Sequence, residues 1–261
     1  MPTALTRAVP SSITRCELTH LARVPIDLAR AREQHAMYER ALAEAGCTVE
    51  HLPPEDDMPD SVFVEDTALV FAELAVITRP GAESRRGESA SVAAALARYR
   101  PLTTIEAPAT IDGGDVLCVG RDVYAGLSTR TNDAAVDQLA RILEPLGYRV
   151  HAVTVHGCLH LKSAATEAGD GIVLVNPEWI DPSLFRRTIA VDPDEPNGAN
   201  VLRLGGTLFA AAAFPRTNAR LRQAGFNVHV IEADELAKAE AALTCCSLIV
   251  GSSGQWLVVS G

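Results

Sequence analysis

Residues 115–132, DVLCVGRDVYAGLSTRTN, and residues 200–218, NVLRLGGTLFAAAAFPRTN, are two copies of one pattern. Each reads as a strand, a turn at Gly120 or at Gly205–Gly206, a second strand and then Arg-Thr-Asn. A helix-like segment follows each copy, DAAVDQLARILEPLG or ARLRQAG, and then a third strand, YRVHAVTV or FNVHVIEA. Asn132 and Asn218 read as helix N-caps, and Gly147 and Gly225 as helix stops. The same unit lies over residues 61–107, with VFVEDTALVFAELAVITR as hairpin, ESASVAAALARY as helix and LTTIEA as closing strand. A fourth copy, with a shortened helix, runs through HLKSAATEAGDGIVLVNP, SLFR and RTIAVDP. The fifth is split: LTCCSLIVGSSGQWLVVSG supplies the hairpin, and the N-terminal DLARAREQHAMYERALAEAG and CTVEHLP supply the helix and last strand.

Repetition of one supersecondary unit marks a radial or stacked architecture. A last unit completed by the N-terminus implies a closed ring of ββαβ modules, which also removes exposed sheet edges. The alternative α/β arrangement is a doubly wound parallel sheet, but no Gly-rich phosphate loop leads from a strand into a helix. The chain is therefore expected to form one domain over residues 1–261.

A formal charge of -10 and a pI near 5.2 leave no basic stripe to meet nucleic-acid phosphates. No apolar run reaches the length of a membrane span, and the first twenty residues lack a signal-type apolar stretch. The cysteines at 16, 47, 118, 158, 245 and 246 follow neither a disulfide framework nor a zinc-ribbon spacing. A cytoplasmic protein with reduced thiols is expected.

Polar residues interrupt the first strand of each unit: Glu65 and Asp66, Asp112 and Asp115, His160 and Lys162, Asn200 and Arg203, and Cys245. Ionisable groups on core strands are costly unless paired or used, and pseudo-symmetry brings these positions together at the ring's centre. Strand alternation lets only one of Cys245 and Cys246 face that centre. A thiol beside an imidazole forms a nucleophile, while clustered carboxylates repel a developing oxyanion and favour attack on a cation. The guanidinium carbon is the natural cationic electrophile, gripped by a carboxylate through paired hydrogen bonds. Arg85, Arg86 and Arg130 are candidates to hold the carboxylate of an arginine derivative. Mutual repulsion in the acid cluster leads to the expectation that neutralising Asp66 spares the fold.

The stretches DSVFVEDTALV, ITRPGAESRR, IDGGDVL, GLSTRTN, LHLKS and LTCCS, in that order, span nearly the whole chain. They resemble the dimethylarginine dimethylaminohydrolases of the pentein superfamily of guanidine-modifying enzymes. The resemblance implies a five-fold pseudo-symmetric α/β-propeller that hydrolyses methylated arginines to citrulline and dimethylamine or methylamine. It implies Cys245 as nucleophile, His160 as acid–base and Asp112 as its orienting carboxylate. Asp66, Glu65 and Asp60 are the implied guanidinium-binding acids, Arg85 and Arg130 the carboxylate-binding pair, and Leu18 part of a mobile flap. No metal or organic cofactor is implied, and the partner is a small molecule bound by a monomer or homodimer. Sister activities, arginine deiminase, agmatine deiminase or amidinotransferase, share the site core and remain open, as does a non-catalytic cation-binding module. A metal reading also stands: HGCLH puts His156, Cys158 and His160 on one strand face, where Cys245 could join them.

Overall fold

The computed structural model describes residues 1–251. In chain order it contains β1 (Thr3–Thr6), α1 (Leu28–Glu44), β2 (Thr48–His51), β3 (Ala68–Val70), β4 (Ala75–Ile77), α2 (Ser89–Leu96) and β5 (Leu102–Thr104). Then come β6 (Val116–Val119), β7 (Asp122–Leu127), α3 (Asp133–Leu143), β8 (Arg149–Thr154), α4 (Leu161–Ala164), β9 (Ala165–Gly169), β10 (Ile172–Val175) and β11 (Arg187–Ala190). The chain closes through β12 (Val201–Leu204), β13 (Thr207–Ala211), α5 (Pro215–Gln223), β14 (Asn227–Ile231), α6 (Asp234–Ala237) and β15 (Leu248–Val250).

The strands form five three-stranded sheets, each with its hairpin pair antiparallel and its third strand parallel to the second. In the β6–β7–β8 sheet, Val116 faces Ala125 across the hairpin, and Val123 faces Val150 on the parallel strand. First strands of neighbouring sheets, β6 and β9, β9 and β12, β15 and β3, lie side by side. This is the expected five-module α/β fold. The shortened helix of the fourth module is a single 3-10 turn, Pro182–Leu184.

The second module shows how local sequence builds the unit. The Asn132 side chain accepts from Ala135 N at 3.1 Å, meeting one of the orphan donors of the α3 N-terminus. Ala135, Leu139 and Leu143 repeat every four residues, and that stripe buries completely against Val116, Val123 and Tyr148. Gly147 then takes a left-handed φ of 85° and ends the helix.

Three expectations are corrected. Asn218 is not a cap: α5 begins at Pro215, and Asn218 lies inside it, donating from Nδ2 to Ala211 O at 2.9 Å. The helix start is instead met by Glu195, whose carboxylate accepts from Arg216 N and Thr217 N at 3.0 and 2.7 Å. The fifth hairpin also closes differently. Its partner strand was expected within residues 252–261, which lie outside the described residues; β15 pairs antiparallel with β1, at the N-terminus.

The third correction bears directly on function. Except for Arg203, which does lie on β12, the polar residues expected on first strands stand on, or directly beside, single helical turns that precede those strands. These turns are Val64–Thr67, Gly113–Asp115, Leu161–Ala164, Pro196–Ala199 and Thr244–Cys246, one per module. The chain thus makes one turn at the axis before entering each sheet.

Candidate active site

Residues on or beside three of these turns line one chamber, and Asp112, beside a fourth, contacts His160 in its wall. Asp60, Phe63, Asp66, Arg85, Arg130, His160 and Cys245 line it, and its free volume is small, about 20 Å³. Asp112 precedes the Gly113–Asp115 turn and His160 precedes α4, so both side chains leave extended backbone beside the first helical residue. Asp112 Oδ2 meets His160 Nε2 at 3.1 Å, and Asp66 Oδ1 lies 3.9 Å from His160 Nδ1. The imidazole therefore sits between two carboxylates.

Buried charges persist only when paired, and here they alternate in sign along a line. Glu88 contacts Arg85 at 2.9 Å, and Arg85 contacts Asp66 at 2.6 Å. Beyond His160, Asp112 approaches Arg130 at 4.0 Å. The pairing resolves the expected repulsion in the acid cluster. Burial raises the Asp66 carboxyl, but His160 and Arg85 outweigh it and hold the group down at about 2. Asp66 is a stabilised anion, and this pairing argues against the expectation that its neutralisation spares the fold.

Two residues expected to touch substrate are engaged elsewhere. Arg85 is buried, and its guanidinium is occupied by Asp66, Glu88 and the Phe63 carbonyl, although its edge reaches the chamber wall. Glu65 accepts from Lys162 Nζ and Thr244 Oγ1, both at 2.7 Å. It lines a separate cavity of about 270 Å³. Arg86 does not line the chamber and pairs with Glu83 at 3.0 Å.

Cys245 and Cys246 occupy the Thr244–Cys246 3-10 turn, not a strand, yet the turn still separates them. Cys245 is half-buried at the chamber and receives Ala242 N–H on Sγ at 3.4 Å. Cys246 is buried in an apolar cluster with Tyr38, Leu42 and Leu243. Leu18 packs against that cluster from the segment closing over the chamber, where Glu17 N donates to Asp60 at 3.1 Å. The HGCLH metal reading fails on geometry. Residues 155–160 form no strand, and Cys158 Sγ turns onto the His160 carbonyl at 3.4 Å. Ligand atoms of Asp66, Asp112 and His160 do lie within 4.8 Å of one another, but their facing atoms already serve the ion-pair line.

The arginine deiminase family model matches residues 52–201. The chain is 44% identical to an N(G),N(G)-dimethylarginine dimethylaminohydrolase of Streptomyces coelicolor over 94% of this chain and 95% of that one. It is 35% identical to the Pseudomonas aeruginosa protein of the same name, covering 85% of this chain and 89% of that one. The chain belongs to the dimethylarginine dimethylaminohydrolase family. A solved Pseudomonas aeruginosa structure of this family, a cysteine-to-serine mutant complexed with citrulline, superposes with a TM-score of 0.88 at 33% identity. That match covers 95% of this chain and 98% of the other. The N-terminal domain of a cyanobacterial arginine dihydrolase shares the fold, with a TM-score of 0.86 at 19% identity, covering 97% and 99% of the two chains.

Within this dimethylarginine dimethylaminohydrolase fold, electrostatics set the states of His160 and Cys245. Burial pulls the His160 imidazolium down, but Asp66, Asp115 and Asp112 outweigh it and raise the group to about 9. Burial, followed by the Glu65 and Asp66 carboxylates, pushes the Cys245 thiol well above its ordinary value. The uncomplexed site thus holds a protonated imidazole beside a protonated thiol.

Two supports of this site were given no role by the sequence: Asp115, placed near the axis but not assigned, and Gly114, which was not singled out. Asp115 is fully buried and accepts from Ser128 Oγ, Thr131 Oγ1 and Leu161 N at 2.6, 2.7 and 2.9 Å. It ties the Arg130 turn to the His160 turn, and its signal was the acid closing DGGD. Gly114 is the second. A Cβ there would stand 2.6 Å from His160 Nδ1 and 2.9 Å from Asp66 Oδ1. Gly114→Ala should therefore displace the imidazole and lower kcat about 10-fold or more, since small misplacements of reacting groups are expensive. Steady-state kinetics beside a circular-dichroism melt check this; wild-type kcat in the alanine variant contradicts it.

Proposed function

We propose that this chain hydrolyses Nω-methylated arginines to citrulline, releasing dimethylamine or methylamine, with Cys245 as nucleophile and His160 as acid–base. The observation that carries the reading is the chamber itself: a thiol and an imidazolium sharing one small pocket with Asp66. Asp66 and Asp60 are suited to grip the guanidinium, and Arg130, backed by Arg85, supplies positive charge for the α-carboxylate. Glu65 acts from behind, fixing the nucleophile's turn through Thr244.

A cation entering beside Asp66 offsets the carboxylates that keep the thiol protonated, so substrate binding itself promotes release of the thiol proton to solvent water, leaving the thiolate beside the imidazolium. Sulfur then adds to the guanidinium carbon. His160 delivers its proton to the departing amine, and a thiouronium remains on Cys245. Water, losing a proton to His160, adds to that carbon and expels the thiolate, giving citrulline. We further take residues 1–261 as one catalytic domain, acting as monomer or homodimer. The cysteines, all free among the described residues, suit the cytoplasm, and no described helix is long and apolar enough to cross a membrane.

The test is incubation with asymmetric dimethylarginine, arginine and agmatine separately, with assay of citrulline and released amine. Citrulline and dimethylamine from the first substrate alone support the proposal. Citrulline and ammonia from arginine alone would favour a deiminase, the second reading, to which the family-model match lends weight. On the preferred substrate, the rate should fall as pH rises through about 9, where the imidazolium is lost. Because thiol and imidazole titrate together, the apparent value belongs to the pair. A rate still climbing well past that pH would contradict His160 as the proton donor.

A further inference from the structure

Residues 16–27 form neither helix nor strand, and most of them are exposed, yet Glu17 lines the chamber and the stretch to Leu21 is bonded to residues of its wall. Its attachments are few. Asp60 takes Glu17 N, and Arg130 Nη2 donates to Thr19 Oγ1 at 3.2 Å. Ser84 Oγ donates to Glu17 Oε1 at 2.5 Å, and Leu18 packs on the apolar cluster behind Cys246. The hold on the Thr19–Leu21 backbone is one carboxylate. Glu240 accepts from Thr19 N at 2.9 Å and also from His20 N and Leu21 N. Three successive backbone N–H groups converging on one anion make a nest, the geometry in which main-chain donors bind anions most effectively.

The backbone at Glu240 is itself unusual. It lies in the left-handed region with φ of 59°, one of two non-glycine residues so placed among the described residues; the other is Asp170, in a hairpin turn. A long unbranched acid gains nothing locally from that conformation, so the surrounding contacts must maintain it. Glu240 also borders both the reaction chamber and a neighbouring cavity of about 700 Å³ lined by His20 and Leu21. From Glu240 the chain runs through Ala241 and Ala242, whose N–H points at the Cys245 sulfur, into the turn that carries the nucleophile.

We propose that Glu240 is a positioning residue, the latch that couples closure of the 17–21 segment to the seating of Cys245. With the nest on its carboxylate, the left-handed turn is held and Ala242 N–H stays on the sulfur. With the nest withdrawn, the turn relaxes and the chamber opens. The closed segment excludes water while the covalent intermediate forms and must release for citrulline to leave. The substrate in this scheme rests on the functional reading above; the latch does not.

The test compares wild type with Glu240→Ala and Glu240→Gly by site-resolved amide hydrogen exchange, alkylation of Cys245 by iodoacetamide, and kinetics with asymmetric dimethylarginine. Glycine relieves the left-handed conformation while removing the carboxylate, so its melting temperature should match or exceed wild type. Both variants should exchange the amides of Thr19, His20 and Leu21 about 10-fold faster or more. Both should alkylate Cys245 several-fold faster and lose about 10-fold in kcat/KM, mainly through a higher KM. Unchanged exchange at those amides would overturn the latch, and so would faster exchange with unchanged alkylation and kinetics. If wild type turns over no methylated arginine, exchange and alkylation still decide the latch, and the failure belongs to the functional reading.

Discussion

Cys245→Ser should lose at least about 10³-fold in kcat, with the fold intact, because a serine hydroxyl in this site has no base strong enough to ionise it. The surroundings sharpen the expectation. Even the thiol is held protonated by burial and by Glu65 and Asp66, so an alcohol, far less acidic, remains protonated throughout. Cys246→Ser, one residue further along the same 3-10 turn, should behave in the opposite way. Its sulfur lies in the apolar cluster with Tyr38 and Leu243, where burial pushes the thiol up to about 12. A hydroxyl there costs about 1–3 kcal/mol if it finds no partner, and the chemistry is spared. Mass spectrometry after alkylation, with and without substrate, separates the two. Substrate-protected label on Cys246 would reverse their roles.

Asp66→Asn should damage both activity and fold. The change leaves Arg85, buried and placed between Asp66 and Glu88, facing a neutral amide where it had an anion at 2.6 Å. Breaking one side of a buried pair costs about 3–5 kcal/mol. For a chain of this size that is a fall in Tm on the order of 10 °C. The loss in kcat/KM should be about 10²-fold or more, since the guanidinium seat and one neighbour of His160 go together. The sign of the pH dependence follows from the same pairing. The folded-state value near 2 lies below the ordinary 3.8, so this stabilisation is full above 3.8 and disappears as pH falls through about 2. Thermal melts of wild type and variant from neutral pH downward should therefore converge in acid. A variant as stable as wild type at neutral pH would mean that the Arg85–Asp66 contact carries no net stabilisation.

How far the sequence could be read depended on the range of the interaction concerned. The five modules were legible because their marks are local. Glycines at 120, 147, 205 and 225 take positive φ, Asn132 caps its own helix, and the apolar alternation of VLCV and VYAGL needs no distant partner. Asn218 misled because its cap role passed to Glu195, more than twenty residues away, through contacts no local window contains. Closure of the ring was correctly inferred from repetition, but the strand that closes it was not, since β1 is short and pairs with the far end of the chain.

The site divides along the same line. Residue types, a thiol, an imidazole and clustered acids, were readable in order along the chain and pointed to guanidinium chemistry before any geometry was available. Their states were not readable. An ionisable group's charge and role depend on what is buried beside it, and those neighbours are distant in the chain: Lys162 for Glu65 and Asp66 and Asp112 for His160 come from other modules, and Arg85 reaches Asp66 from the far side of its own hairpin. The chain alone determined the fold class and the chemistry its residues could support. Only tertiary structure decided which acids are free to meet a cation, because desolvation and pairing energies exist only once the modules have closed around one axis.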